Sequence, residues 1–318
     1  MMILVLLTQI ALPMALLSWL LLFPGQSRLG WLVQVSGIAA LLFALARIAQ
    51  WAVPVWWLPW IYAGSLLAIV LWQAPTLPSR PLLPAGARGW AAFTVSAGIL
   101  ALGGFFGAKA LAGQALPPVE VIDLANPFAA GHFLVGHGGS NALVNGHMRT
   151  LDVSVEPFRP WRGQSYAVDF FGLGSWGLRA RGWRPADPEA YAIFGAELLA
   201  PCAGVVVATE GSMADSRVPQ QDPVHRLGNH VILRCGAVEI VVAHLRQGSL
   251  AVAPGDLVAV GDRLGEVGNS GASTEPHLHI HAQRPAPEGA PPISGEPLAI
   301  RINGRFLVRG DRLRGSRD

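Results

Sequence analysis

Residues 1–113 contain no aspartate and no glutamate, and their only charged side chains are Arg28, Arg47, Arg80, Arg88 and Lys109. Soluble helices carry a polar face to meet water, and a stretch this poor in charge has none to offer. Its apolar runs cover about 2–23, 31–50, 55–73 and 89–113. Each is close to the roughly 20 residues that cross the hydrocarbon core of a bilayer. The first run lacks the basic start of a signal peptide, and three more follow it. Trp51, Trp56, Trp57 and Trp60 cluster between the second and third runs, where an interfacial aromatic belt is expected. We therefore expect an α-helical transmembrane region of about four spans over residues 1–115, embedded in a lipid bilayer.

The basic residues orient these spans. Arg28 follows the first, and Arg80 and Arg88 lie between the third and fourth. The two loops share a side, which the positive-inside rule assigns to the cytoplasm. Both termini then lie outside, together with residues 116–318. The rest of the chain has 18 basic and 20 acidic residues. The overall pI of 9.3 thus comes from the membrane half. No basic stripe marks the soluble half, which argues against nucleic-acid binding. The spans lack acidic groups, which argues against an ion or proton pathway through them.

Residues 114–131, with Pro117, Pro118 and Pro127, read as a linker, and a Gly-rich stretch follows over 131–148. GVVVAT at 204–209, HVILRC at 230–235, VEIVVAHL at 238–245 and LHIHAQ at 278–283 read as strands. Two short strands are expected within 257–268. AIRI-NG-RFLV, 299–308, predicts a hairpin, because Asn-Gly suits a type I′ turn. The expectation is a β-rich domain with its core at about 140–285. Cys202 and Cys235 both lie in this exported half. One disulfide and two separate thiols are both open.

Within this domain, EPHLHIHAQ puts His277, His279 and His281 at every second position. On a strand all three imidazoles share one face. One such histidine would read as a polar strand face; three in register suit a metal site and proton transfer. A catalytic zinc takes three protein ligands and keeps one position open. It also brings water into play as a nucleophile near neutral pH. His244 ends another strand, and Asp169 stands between apolar Val168 and Phe170, an unusual setting for a carboxylate without a partner.

Together with APCAGVVVAT, GNHVILRCG, VVAHL and the glycine-spaced run Gly255–Gly271, these elements resemble the lysostaphin/LytM-type zinc metalloendopeptidases. The similarity covers Ala200–Gln283 and extends more weakly back to about 140. It implies an antiparallel sheet groove, bound Zn2+ and hydrolysis of peptidoglycan peptides. His279 matches a zinc ligand, His277 the histidine that handles the water proton, His244 the histidine that stabilises the transition state, and Asp169 the aspartate ligand. The family's first ligand should stand four residues before Asp169, where this chain has Ser165. Some members carry N-x-H upstream instead, which points to His147 after Asn145 as the third metal ligand, ahead of His137 and His132. Asn145 and Tyr166 are candidates to orient water or substrate, His281 is either a residue that orients a ligand or a solvent-facing strand residue, and His230 is a structural or groove residue. The implied whole is a multi-pass protein of the bacterial inner membrane with a periplasmic or extracellular peptidase domain. The alternative is a non-catalytic domain of the same fold that binds or regulates cell-wall hydrolases.

Overall fold

The computed structural model describes residues 2–317 and divides into two compact units that meet in the chain between Ala112 and Gly113. The first unit has four helices long and apolar enough to cross a membrane: Ile3–Leu22, Arg28–Ile48, Leu58–Ser79 and Gly86–Ala112. Few polar groups are buried, and those that are tie helices together. Gln73 accepts from the Trp31 indole (2.7 Å) and donates to the Leu20 carbonyl (2.9 Å). The second and fourth helices approach closely at small residues. A Cβ on Gly103 would lie 2.5 Å from the Leu41 nitrogen, so only glycine fits there. Arg28 donates to the carbonyls of Pro78 and Arg80, and Arg80 to that of Gly25. The two arginine-bearing loops therefore lie at one end of the bundle.

The second unit is built on an antiparallel sheet. Its strands are β1 (Val121–Leu124), β2 (His132–His137), β3 (Val168–Leu173), β4 (Glu197–Leu199), β5 (Gly204–Glu210), β6 (Asn229–Cys235), β7 (Val238–Leu245), β8 (Leu257–Val258), β9 (Arg263–Glu266), β10 (Leu278–Gln283), β11 (Pro297–Ile302) and β12 (Arg312–Arg314). The main sheet runs β12-β2-β3-β10-β7-β6-β5-β8, with β11 joined to β10 and β1 added to β11 in parallel. β4 and β9 form a separate pair.

Alternation sets the two faces of this sheet. Val168 and Phe170 of β3, Ile240 and Val242 of β7, and Leu278, Ile280 and Ala282 of β10 point into one apolar core. Asp169, His279 and His281 take the opposite face, as the period of two requires. Phe128 stacks on Phe133 and meets Phe170 edge-on beneath the sheet.

Sequence and structure differ in three places. Strands β1, β2, β11 and β12 extend the sheet beyond the expected core of 140–285 in both directions. The Asn303–Gly304 turn forms with both residues at positive φ, but the hairpin stops at one bridge, Ile302 to Arg305. β11 spends its edges on β10 and β1 instead, so RFLV has no ladder to join. Lastly, Cys202 and Cys235 are bonded to each other; closing a loop of 33 residues stabilises by about 3–4 kcal/mol in the chain-entropy view.

Ile280 is fully buried at the centre of this core. Ile280→Ala should cost about 2–4 kcal/mol through lost burial and the cavity left behind. Denaturant unfolding of the detergent-solubilised chain checks this, and a change below about 1 kcal/mol would contradict the packing described.

Candidate metal centre

Cross-strand register assembles the site. His279 on β10 is directly opposite Asp169 on β3, with Ala243 of β7 on its other side. His137 on β2 is opposite Asp169 in turn, after a register shift. The Asp169 carboxylate is buried between two imidazole nitrogens, His279 Nδ1 at 3.0 Å and His147 Nε2 at 2.8 Å. Three ligand atoms, one each from His147, Asp169 and His279, lie within 4.8 Å of one another. Among the described residues these three side chains form a group able to hold a metal ion.

His147 reaches this point from a single 3₁₀ segment, Gly146–Leu151. Asn145 caps it by accepting from the His147 N–H, while its own amide donates to the carbonyls of Gly139 and Ala167. One fully buried side chain thus clamps the His147 turn to the start of the strand that carries Asp169. Both amide protons and one lone pair of its oxygen are thus engaged by backbone. Tyr166 is buried as well. Ser165, where the family pattern has a histidine, is bonded to the Thr150 hydroxyl and the Arg162 carbonyl.

A second pair of rings stands beside the first group. His244 and His277 have centroids 4.7 Å apart, and His244 is 5.9 Å from His279. His244 Nδ1 donates to the Ser270 carbonyl (2.9 Å), and His277 Nδ1 lies 2.9 Å from the Glu275 carbonyl. A carbonyl can only accept, so both protons sit on Nδ1 and each Nε2 carries a lone pair. His244 holds a φ of 65°, a conformation non-glycine residues adopt at a cost and one concentrated at functional sites. The site-facing positions beyond include Phe171, 5.9 Å from the His277 ring.

The remaining candidates separate clearly. His132 is exposed, opposite Leu173 and Arg314, away from the group. His137 packs against His147 at 5.5 Å, but its Nδ1 accepts from the Gly146 N–H and from Arg309. His230 lies one strand beyond Ala243, on the face of His279. Two participants escaped the sequence reading. Arg309 comes 172 residues after the histidine it contacts, and no local pattern announces it. Arg179, buried and paired with Glu275 at 3.2 Å, braces the loop before His277.

Burial disfavours the charged form of four of these rings. Burial holds His244, His279 and His281 below the usual imidazole range, and the facing imidazoles add to the effect. Burial likewise pushes His137 down to about 3. Burial alone would raise Asp169, but the His147 charge and the hydrogen bonds from His147 and His279 hold it well below the usual carboxylate range.

Residues 190–291 match the family model described as Peptidase family M23. Similar solved structures include a putative M23 peptidase from Pseudomonas aeruginosa, 23% identical over 29% of this chain and 35% of that one, TM-score 0.22. The lysostaphin catalytic domain from Staphylococcus simulans is 22% identical over 36% and 79%, TM-score 0.22. The deep-sea M23 metalloprotease pseudoalterin is 16% identical over 61% and 98%, TM-score 0.32. The chain spans 35% and 38% of the lengths of the first two structures it matches. No curated protein matches it.

In the metal-free protein the buried imidazoles make the fold acid-labile. The folded His137 takes up its proton only near pH 3, whereas the unfolded one does so near 6.5. Between those values the unfolded chain binds more protons, so stability falls as pH falls, by about 1.4 kcal/mol per pH unit per such ring. His244, His279 and His281 act in the same direction, and Asp169 joins below its ordinary pKa of 3.8. The melting temperature of the chelator-treated protein should drop steadily from pH 6.5 to 4; a flat profile would count against this burial.

Proposed function

We propose that this chain, whose C-terminal unit carries a match to Peptidase family M23, is a membrane-anchored zinc metalloendopeptidase that hydrolyses peptide bonds in peptidoglycan outside the cytoplasm. The reading is carried by the convergence of His147, Asp169 and His279 beside the His244–His277 pair. Two imidazole nitrogens and a carboxylate suit Zn2+ in both ligand type and number, and leave a position for water or substrate. His147 Nε2 and His279 Nδ1 both face the Asp169 carboxylate, which brings together the three donor atoms that would share a cation. Bound there, Zn2+ would supply Lewis acidity toward a scissile carbonyl and an attacking water.

The other histidines then have separable tasks. His277, with its proton held on Nδ1 by the Glu275 carbonyl, offers Nε2 as the base that takes the proton of the attacking water. Once charged, the same nitrogen is a donor that can return that proton to the leaving amine. His244 is fixed by Ser270 in the same tautomer and stands between His277 and His279, where charge develops on the carbonyl oxygen. Its strained backbone keeps the ring in that position without reorganisation during the reaction.

Localisation follows from the first unit. Four apolar helices support a multi-pass anchor in the bacterial inner membrane. Arg28, Arg80 and Arg88 at one end support a cytoplasmic location for that end. The Cys202–Cys235 bond supports an oxidising compartment for the sheet domain. Peptidoglycan peptides are the substrate class that meets the family and the location together.

Metal analysis and digestion of purified peptidoglycan by the detergent-solubilised protein test the assignment. Asp169→Asn and His279→Ala should lose both zinc and peptide release. His244→Ala and His277→Ala should keep zinc and lose about 10²–10⁴-fold in rate. A native protein that binds no zinc yet captures cell-wall hydrolases would overturn the peptidase reading in favour of a regulatory domain.

A further inference from the structure

His281 shares the site face of β10 with His279 and is completely buried. Its Nδ1 is 2.9 Å from His279 Nε2. Its own Nε2 is buried with no hydrogen-bond partner among the described residues. An unsatisfied polar atom of this kind costs about 1–3 kcal/mol. Two residues further along the same face, Gln283 Oε1 is in the same condition.

Protons along this face can be assigned from the far end. The Glu239 carboxylate accepts from Arg234 Nη2 at 2.7 Å and from Gln283 Nε2 at 3.2 Å. Gln283 Nε2 also donates to the Pro292 carbonyl at 2.6 Å. Carboxylates and carbonyls only accept, so the Gln283 amide has one orientation and its Oε1 remains an acceptor. That oxygen needs a donor, and His281 Nε2, two residues back on the same face of the strand, is the other buried atom of this line without a partner. His281 Nδ1 is already engaged by His279, which leaves Nε2 as the donor. A neutral imidazole has a single N–H. With the proton on Nε2, His281 Nδ1 is a lone pair and accepts from His279 Nε2–H. His279 Nδ1 is then unprotonated, and it is the atom that stands 3.0 Å from the Asp169 carboxylate.

A lone pair aimed at a carboxylate is repulsive unless a cation lies between them. The reverse assignment puts a proton on His279 Nδ1 and another on His281 Nδ1. It leaves His281 Nε2 and Gln283 Oε1 as two buried acceptors with no hydrogen for either. With both rings neutral, the cation-loaded assignment is the one that gives each group from Arg234 to Asp169 a complementary neighbour. The 3₁₀ segment Glu156–Tyr166 seals this line: a Cβ on Gly163 would fall 1.8 Å from Gln283 Oε1, so the backbone lies directly on the amide.

We propose that His281 is a positioning residue for the metal ligand. Backed by Gln283, Glu239 and Arg234, it locks His279 in the tautomer whose Nδ1 lone pair faces the ion. This rests on the reading of His147, Asp169 and His279 as a metal centre. It assigns to a neutral histidine the orienting task that a carboxylate or backbone carbonyl performs behind most metal-bound histidines.

The test compares His281→Asn with His281→Leu in the full-length, detergent-solubilised protein. The two replacements have the same shape, and only asparagine offers an oxygen near the place of Nδ1. Zinc affinity is measured by chelator competition. His281→Asn should stay within about threefold of the native protein, and His281→Leu should lose about 10–100-fold. Equal losses in both variants, or no loss in His281→Leu, would overturn the positioning role and leave the metal centre standing. A native protein that takes up no zinc would overturn both. Histidine ¹⁵N spectra of the zinc-loaded native protein give an independent check. They should show N–H on Nε2 of both His279 and His281; a proton on His281 Nδ1 defeats the proposal.

Discussion

The antiparallel pairing of His279 with Asp169 is the contact on which the rest of this site depends. It sets a buried carboxylate and an imidazole 3.0 Å apart, and every other polar group is arranged around that pair. The pairing is held by the opposite face of the same strands. Leu278 lies across from Phe170 and Ile280 across from Val168, all within the apolar core. A slip of one residue would carry the histidines into the core and the aliphatic residues into the groove. The hydrophobic side of the sheet therefore positions the chemical side.

That arrangement has an electrostatic consequence. Imidazoles this deeply buried and this close together cannot share several charges, so they stay neutral with defined tautomers. Each ring on the face is read by a group that can only donate or only accept: Ser270 and Glu275 by their carbonyls, Asp169 by its carboxylate, Arg309 by its guanidinium. Such a network is favourable only when fully satisfied.

Much of this was legible in the sequence. The acid-free first third announced apolar helices through composition alone. The spacing of His277, His279 and His281 put three imidazoles on one face of a strand, and the H-x-H and A-H-L elements carried the family resemblance. The departure at Ser165 was visible as well, along with the N-x-H element upstream that carries His147. What the local pattern could not show is how Asn145 works. Its value lies in bonds to Gly139 and Ala167, one of them 22 residues away. Arg309 and Gln283 were invisible for the same reason. The hairpin expected at Asn303–Gly304 failed because β10 and β1 compete for β11, and turn chemistry carries no information about that competition.

Sequence by itself determined the elements, their faces and the residue types available for chemistry, because period and composition are local properties of the chain. Tertiary structure decided which of nine histidines meet, and in which protonation pattern. It brought His147 to Asp169, turned His137 toward Arg309, tied Ser165 to Thr150, and divided three equivalent imidazoles into one beside Asp169, one beside His244 and one behind His279. Those distinctions arise from burial, cross-strand register and donor–acceptor matching between distant segments, which exist only once the sheet has closed over its core.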